Sequence, residues 1–591
     1  MDLQAWLAVM ISLGAVLFLA VSSWAPHMIL LTAAGLAVVL GLVSPEQGLA
    51  GFANSGVATI ATLFVVVAGV RHGGVLDVVG PWLLGQRSSA ARARLRSVLP
   101  VAASSAFVNN TPVVALMIPA VTDWCRRHGI APSRVLMAIS YAAILGGTCT
   151  LIGTSTNLVV DGLLAAEGGE RLSLFTPMVV GLPITIAGLA VLVVGGRWLL
   201  PDREPALSSR DDARHFTVEL LVPEGSSVAG QTIAEGGLRH LSDVYLVRII
   251  RDGEALPVAR PSDVVHVGDR LVFAGSRHGV AEVASRKGLD LAHDEDFRSD
   301  HGAARRVLVE AVIAHTSPLL GRTVNQAAFR THYNAAVVAV ARHGQRIGGG
   351  IGDHQLQAGD IVLLETVPSF YERFAYSSDF YLVGEPDHEQ VRDHRRAPLA
   401  AAILIAMVVL AGTGTLPMLS AALIAAAAMV VTGCCSMVQA RQAVDVRLLV
   451  AIAAAFGLGA SLQHTGAAES MATQVVALAG GHPWWTLVAI YVTTVVITEL
   501  VTNNAAAVIV FPIAIAAAAA LQVSMLPFAV AVMVAASASF ITPVGYQANL
   551  MVMAPGGYRY GDYLRSGIPV AVVVAAVALI IIPQAFPFIS P

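Results

Sequence analysis

Charge is scarce in these 591 residues: 13% are Asp, Glu, Lys or Arg, while 56% are apolar. Soluble globular chains carry about a quarter charged residues. The scarcity excludes an ordinary soluble enzyme, and a net charge of −3 argues against a nucleic-acid partner, which calls for a basic surface. Cysteine is sparser still. Cys125, Cys149, Cys434 and Cys435 have neither metal-ligand nor redox spacing, so they read as small buried hydrophobes. Neither HExxH nor GxSxG occurs, which leaves a membrane enzyme without its usual metal or nucleophile. The opening segment, Asp2 to Val21, has no basic flank and no small-residue cleavage pattern, so it reads as a retained first span.

What charge there is lies mostly in residues 202–396, and runs such as Ala397–Ala411 and Ala571–Ile582 have none. Apolar segments of about 20 residues read as membrane spans. They fall near 3–22, 27–44, 55–71, 135–163 and 174–200, then near 397–411, 417–433, 447–463, 526–553 and 566–588. The 97–124 stretch is different. Arg87, Arg92, Arg94 and Arg96 precede it, and Arg126, Arg127 and Arg134 follow. Lys and Arg favour the cytoplasmic side, so both ends of this stretch belong there and it must turn back as a re-entrant hairpin. Its middle, Asn109-Asn110-Thr111-Pro112, is polar and helix-breaking. Irregular backbone at membrane depth is tolerated only where protein or a cavity surrounds it. A second hairpin is expected at 484–523, where neither flank has Lys or Arg, so that it enters from outside.

The two apolar halves, residues 1–200 and 397–591, repeat each other. Ser105, Asn110 and Pro119 correspond to Thr498, Asn503 and Pro512 at an offset of 393. His72 and His464, Gly153 and Gly545, and Asn157 and Asn549 correspond at 392. The fold expected is therefore a polytopic α-helical membrane protein of two inverted-topology repeats, each with a hairpin and a broken helix. Broken helices expose carbonyls and N–H groups at their ends. Carbonyls with Ser, Thr and Asn oxygens suit Na⁺, whereas N–H groups suit an anion. Neither break contains Arg or Lys, so bound Na⁺ is expected to supply positive charge for an anionic substrate.

The paired Ser/Thr-x-x-x-x-Asn hairpins, with breaks at Ile152-Gly153-Thr154 and Ile541-Thr542-Pro543, resemble the divalent anion:sodium symporter family over both membrane halves. The resemblance implies that Ser105, Asn109, Asn110 and Gly153 hold one Na⁺, and that Thr498, Asn503 and the backbone around Ile541 hold another. It implies that Asn110, Thr111, Thr154, Asn503, Asn504, Thr542 and Pro543 face the substrate, with Ser155, Asn157, Glu499, Gly545 and Asn549 in support. It further implies a homodimer in the inner membrane that moves substrate by an elevator motion. Asn504 stands where the family has a threonine, which weakens a dicarboxylate assignment. The second break is similar to sulfate permeases, so the expected substrate is sulfate or another small divalent oxyanion. The alternatives are a dicarboxylate symporter, a proton-coupled carrier using Glu499, and a ligand-gated channel.

Residues 201–396 form a cytoplasmic insert with its own repeat. Within 215–289 and 305–385, Gly230, Arg251 and Gly268 correspond to Gly321, Arg342 and Gly359 at an offset of 91. Alternating runs such as Val244–Ile250 and Ala335–Ala341 read as strands. Each unit resembles the TrkA C-terminal domain, an α/β module, which implies regulation by a small ligand such as a nucleotide; a passive dimerisation module is the plainer reading. The Gly348-Gly349-Gly350 run lacks a P-loop's Gly-Lys-Ser/Thr ending and reads as a turn. Glu499, in an apolar stretch beside the second hairpin tip, is either functional or a structural cap. Asp161 is either a solvated cavity residue or an ion ligand, and His72 and His464 are expected at span ends.

Overall fold

The computed structural model describes residues 2–73, 90–203, 217–382 and 396–589, apart from 23, 129, 239–243, 252–253, 256–261, 276–282, 284–286, 292–306, 315–316, 343–344, 348–350, 368, 375–376, 378, 544 and 554. Gly74, Arg87, Gly253, Gly344, the Gly348–Gly350 run and Val544 lie outside the described residues. The chain divides into two compact units, one of residues 1–203 with 390–591 and one of residues 204–389.

The first unit is helical. Helices Leu3–Val21, Pro26–Val39 and Ser55–His72 precede the first hairpin, whose arms are Ala90–Ser105 and Asn110–His128. Helices Leu136–Gly147 and Ser155–Ala166 follow, separated by an irregular stretch, and then Met178–Leu199. The second half runs Ala397–Gly412, Met418–Val431 and Val446–His464, then the hairpin arms Pro483–Leu500 and Asn503–Ala520, then Leu526–Ser537, Gln547–Met553 and Tyr560–Ala585. Local chemistry sets many of these ends. Asn54 accepts from Gly56 N–H at 2.8 Å to start Ser55–His72, and Asp445 caps Val446–His464 through Leu448 N–H. Pro543, which lacks an N–H and disfavours helix in the residue before it, lies in the interruption between Leu526–Ser537 and Gln547–Met553. Three short helices outside the expected spans, Pro45–Leu49, Met437–Ala443 and Ala467–Leu478, fill connections.

Among the described residues, six helical stretches are long and apolar enough to cross a membrane: Pro45–His72, Met178–Leu199, Val446–His464, Pro483–Leu500, Asn503–Ala520 and Tyr560–Ala585. Exposure runs opposite to that of a soluble protein. Leu478, Val431 and Val39 are 90%, 85% and 82% exposed, while Ser105, Thr498 and Asn549 are wholly buried. An apolar exterior around a polar interior is what a lipid solvent demands. This unit is that of a multi-pass membrane protein. Small residues bring its helices close: a Cβ on Gly146 would meet the Ala102 carbonyl oxygen at 2.1 Å, so the first hairpin arm and the helix Leu136–Gly147 touch backbone to backbone.

The second unit holds two five-stranded antiparallel sheets. One is built from β1 (Thr217–Leu221), β2 (Val244–Arg251), β3 (Glu254–Ala255), β4 (Arg270–Gly275) and β5 (Asp290–Leu291), in the order β3-β2-β4-β1-β5. The other comprises β6 (Val307–Ile313), β7 (Ala336–Arg342), β8 (Gln345–Arg346), β9 (Ile361–Thr366) and β10 (Phe380–Leu382), in the order β10-β6-β9-β7-β8. Read from its other edge, the second order reproduces the first. The same ion pair braces both: Arg251 grips Asp269 and Arg342 grips Asp360 through two N–H···O contacts of 2.7–2.8 Å. Apolar clusters around Phe273 and around Phe329, Phe370 and Phe380 form their cores.

Candidate functional site

The site begins at the two hairpin tips. In the first, the backbone leaves Ser105, turns, and re-enters a helix at Asn110, so the Ser105 hydroxyl meets the Asn110 carboxamide. In the second, Thr498 Oγ1 lies 3.1 Å from Asn503 Oδ1 and 2.7 Å from the Ala536 carbonyl. Ser105, Asn110 and Thr498 are buried, and Asn503 is half-buried. Asn109, half-buried, sits at the turn ahead of Asn110, and among the described residues its side chain does not join this bonding.

Each tip abuts the break of the following helix pair. Thr150 Oγ1 donates to the Ala106 carbonyl and accepts from Gly153 N–H at 3.2 Å. Thr542 Oγ1 donates to the Glu499 carbonyl at 3.2 Å and accepts from Gly545 N–H at 3.1 Å. Behind each break an asparagine amide ties two carbonyls. Asn157 Nδ2 donates to Gly147 (3.3 Å) and Thr150 (2.7 Å), and Asn549 Nδ2 donates to Ser539 (3.0 Å) and Thr542 (3.2 Å). Residue for residue, these bonds correspond at the offsets of 392 and 393 found in the sequence. Glycine is required at both breaks: a Cβ on Gly153 would lie 2.5 Å from the Gly147 oxygen, and one on Gly545 would lie 2.2 Å from Ser539 Oγ.

The two halves then bond to each other. Thr111 Oγ1 lies 3.3 Å from Gln547 Oε1, and Ser155 Oγ lies 3.2 Å from the Asn504 carboxamide. By offset, Asn504 is the mate of Thr111 and Gln547 the mate of Ser155, so this is one contact made twice. Tyr546 stands between them. Its hydroxyl meets the Asn110 carboxamide and lies 3.3 Å from Thr154 Oγ1.

Asn110, Thr111, Thr154, Ser155 and Asn504 thus converge. Thr542, expected to face substrate, is engaged in its own break, and buried Pro543 adds no donor there. The Ile541 and Thr542 N–H groups go to Glu499, whose Oε1 and Oε2 accept them at 2.9 and 2.8 Å. Glu499 therefore caps a break, and its mate, Ala106, has no carboxylate to offer. Asp161 is neither solvated nor an open ligand: at 6% exposure its Oδ1 accepts the Leu172 N–H at 2.8 Å, because a buried carboxylate needs a donor. His72 and His464 end helices. All four cysteines are free and buried.

Thr150, Tyr546 and Gln547 were missed in the sequence. Applying the 392 offset to Thr542, Thr154 and Ser155 would have found them. Among the described residues of this cluster Glu499 is the only charged side chain; the rest are hydroxyls, amides and backbone carbonyls, a hard, all-oxygen set with neutral donors beside it.

The chain matches the model of a transporter family described as citrate transporter (CitMHS) in two overlapping stretches, residues 9–534 and 458–591. A Chlamydomonas reinhardtii protein named for the sulfur deprivation response is 36% identical over 93% of this chain and 96% of its own length. An uncharacterized transporter of Synechocystis is 30% identical over 97% of this chain and 96% of its own. Sodium/sulfate cotransporter 1 of Chlamydomonas reinhardtii is 27% identical over 91% of this chain and 84% of its own.

Proposed function

The chain belongs to the CitMHS family, so it is a secondary anion transporter and not an enzyme, and on that premise we propose that it imports a small divalent oxyanion, sulfate first, driven by Na⁺. The observation that carries this reading is the doubled contact across the site, Thr111 with Gln547 and Asn504 with Ser155. It sets two hairpin tips around one small polar centre.

That centre has no guanidinium or ammonium among its described residues. An anion entering it needs positive charge from elsewhere, and two oxygen-rich tips are placed to hold it as Na⁺: Ser105, Asn110 and Gly153 in one half, Thr498, Asn503 and Ile541 in the other. Short tips, with amides and hydroxyls only, suit an oxyanion that recognises neutral donors. The sodium/sulfate cotransporters among the relatives point the same way. In this reading the halves are inverted repeats, the hairpin-bearing part moves against a dimeric scaffold, and residues 201–396 lie in the cytoplasm as a regulatory pair of domains that binds a small ligand, a nucleotide being one class.

The test is uptake of radiolabelled sulfate into proteoliposomes, with and without an inward Na⁺ gradient and with succinate as competitor. Sodium-driven sulfate uptake that succinate leaves unaffected is expected. Succinate uptake without sulfate uptake would move the protein to the carboxylate carriers, and uptake indifferent to Na⁺ but driven by a proton gradient would replace the coupling ion.

A further inference from the structure

We propose that Tyr546 is a substrate-binding residue and that the Asn110 carboxamide, by turning over, passes the occupancy of the first cation site to it. The proposal rests on the cation-coupled reading above but adds a residue and a device to it.

The inward atom of the Asn110 carboxamide stands 2.9 Å from the Ala143 carbonyl oxygen, 3.2 Å from the Gly153 carbonyl oxygen and 2.5 Å from Ser105 Oγ. Its outward atom meets the Tyr546 hydroxyl. A carboxamide is nearly symmetric in shape, so a half-turn exchanges oxygen for nitrogen without moving anything else. With nitrogen inward, the amide donates to both carbonyls, and its outward oxygen accepts the Tyr546 O–H. The carboxamide and Tyr546 are then satisfied without a cation, while the Ser105 hydroxyl gives up its bond to the Asn110 oxygen. With oxygen inward, the Ser105 hydroxyl donates to it, but the Ala143 and Gly153 carbonyl oxygens face it with no proton between, an arrangement that a cation among them would relieve.

The outward consequence is specific. Once oxygen turns inward, the Asn110 N–H donates to the Tyr546 oxygen, and the Tyr546 proton is released from Asn110. Tyr546 is then free to donate into the centre, where Thr154 Oγ1 already lies 3.3 Å away. Cation binding therefore converts Tyr546 from a donor spent on Asn110 into a donor available to an oxyanion. Anion binding in turn favours the orientation that holds the cation, since such coupling is reciprocal. No proton leaves the pair and no charge is buried by the turn. The second half lacks the device: the mate of Tyr546 is Thr154, and the Asn503 carboxamide is only half-buried.

The experiment measures, on the purified full-length protein, the affinity for sulfate and for succinate with and without saturating Na⁺, and the Na⁺ affinity without anion, by thermal shift. Tyr546→Phe keeps the ring and removes the hydroxyl, and Tyr491→Phe, which removes a buried tyrosine hydroxyl outside the cluster, is the control. For whichever anion the wild type binds, the factor by which Na⁺ tightens it is expected to fall about tenfold or more in Tyr546→Phe, within the usual 5–150-fold range of such couplings. Na⁺ affinity without anion should stay within about twofold of wild type, because a hydroxyl outside the cation's reach is lost. An unchanged coupling factor in Tyr546→Phe, or an equal loss in Tyr491→Phe, overturns the relay. A wild type that binds succinate but not sulfate removes the sulfate reading while the same ratio still decides the relay; a wild type whose affinity for either anion ignores Na⁺ overturns both.

Discussion

Glu499→Gln tests whether a single carboxylate holds the second break in shape. Its two oxygens accept the N–H groups of Ile541 and Thr542 at 2.9 and 2.8 Å. Hydrogen bonds to an ionised acceptor contribute about 1.5–3 kcal/mol each, and a buried donor left unpaired costs about 1–3 kcal/mol. Glutamine keeps one acceptor oxygen and turns an NH₂ toward the other N–H, so one bond is lost and one donor is stranded. Because Glu499 is half-buried, the lower end applies, about 2–3 kcal/mol in all. At about 1.4 kcal/mol per tenfold, the intact break becomes some 30- to 150-fold less favoured. The variant is expected to melt several degrees lower in detergent and to lose at least tenfold in initial uptake rate. Ala106→Glu, which places a carboxylate at the mate, offers the converse comparison. A Glu499→Gln protein that melts within about 1 °C of wild type and transports at half its rate or better would refute the capping role.

Asn110→Ala and Asn503→Ala are each expected to abolish uptake while membrane insertion and expression remain normal; uptake assays beside surface-exposure controls decide this, and normal uptake in either removes the site assignment. Gly153→Ala pushes a methyl to 2.5 Å from the Gly147 oxygen and 2.9 Å from the Ser105 oxygen, an overpacking that costs about 1–3 kcal/mol, and is expected to abolish Na⁺-dependent thermal stabilisation. In the insert, burial and the nearby Arg342 charge hold the His354 imidazole below its ordinary range. The folded insert thus binds fewer protons than the unfolded one, so its stability rises with pH and falls as pH drops below about 6.5. Proteolysis of the insert in the full-length protein should accelerate between pH 7.5 and 5.5, and His354→Gln should flatten that dependence. A cysteine introduced at an exposed insert position should resist impermeant reagents applied outside intact cells; labelling there would reverse the proposed topology.

Most of the membrane unit was legible because its signals are physical constraints and not preferences. Span-length apolar runs located the helices, and Asn109-Asn110-Thr111 and Thr502-Asn503-Asn504 marked where polar groups interrupt them. The short helices were not legible. Pro45–Leu49 and Met437–Ala443 are built on reciprocal caps, Ser44 with Gln47 and Ser436 with Gln439, and five to seven residues are too few to show a helical period. Ala467–Leu478 follows Gly466 at φ 70°, a turn that any loop could have made. At the site, the sequence identified the tips and, through Gly153 with Gly545 and Asn157 with Asn549, the correspondence of the breaks. Which side chains do the work was less legible: Thr150 and Thr542 make the equivalent bonds to Gly153 and Gly545 N–H, and Tyr546, the mate of Thr154, reaches the opposite tip.

That correspondence bears on what the two halves are expected to do. A duplicated frame gives mates equivalent surroundings, so a difference between mates acts on nearly the same geometry in both halves. Beside the Thr111/Asn504 and Ser155/Gln547 exchanges that make the doubled contact, two differences stand out in the second half: Glu499 in place of Ala106, and Tyr546 in place of Thr154. The first adds a negative charge beside Thr498 and fixes the backbone of its break with two charge-assisted bonds. The second reaches across to Asn110 and adds a reversible donor to the opposite tip. The two tips, built on one pattern, are therefore unequal. On the proposed reading, a cation at the Thr498 tip has the Glu499 carboxylate nearby whether or not an anion is present. A cation at the Ser105 tip has no such neighbour and would gain most when an anion occupies the centre. On the proposed reading, electrostatics therefore favours loading of the Thr498 side before the Ser105 side.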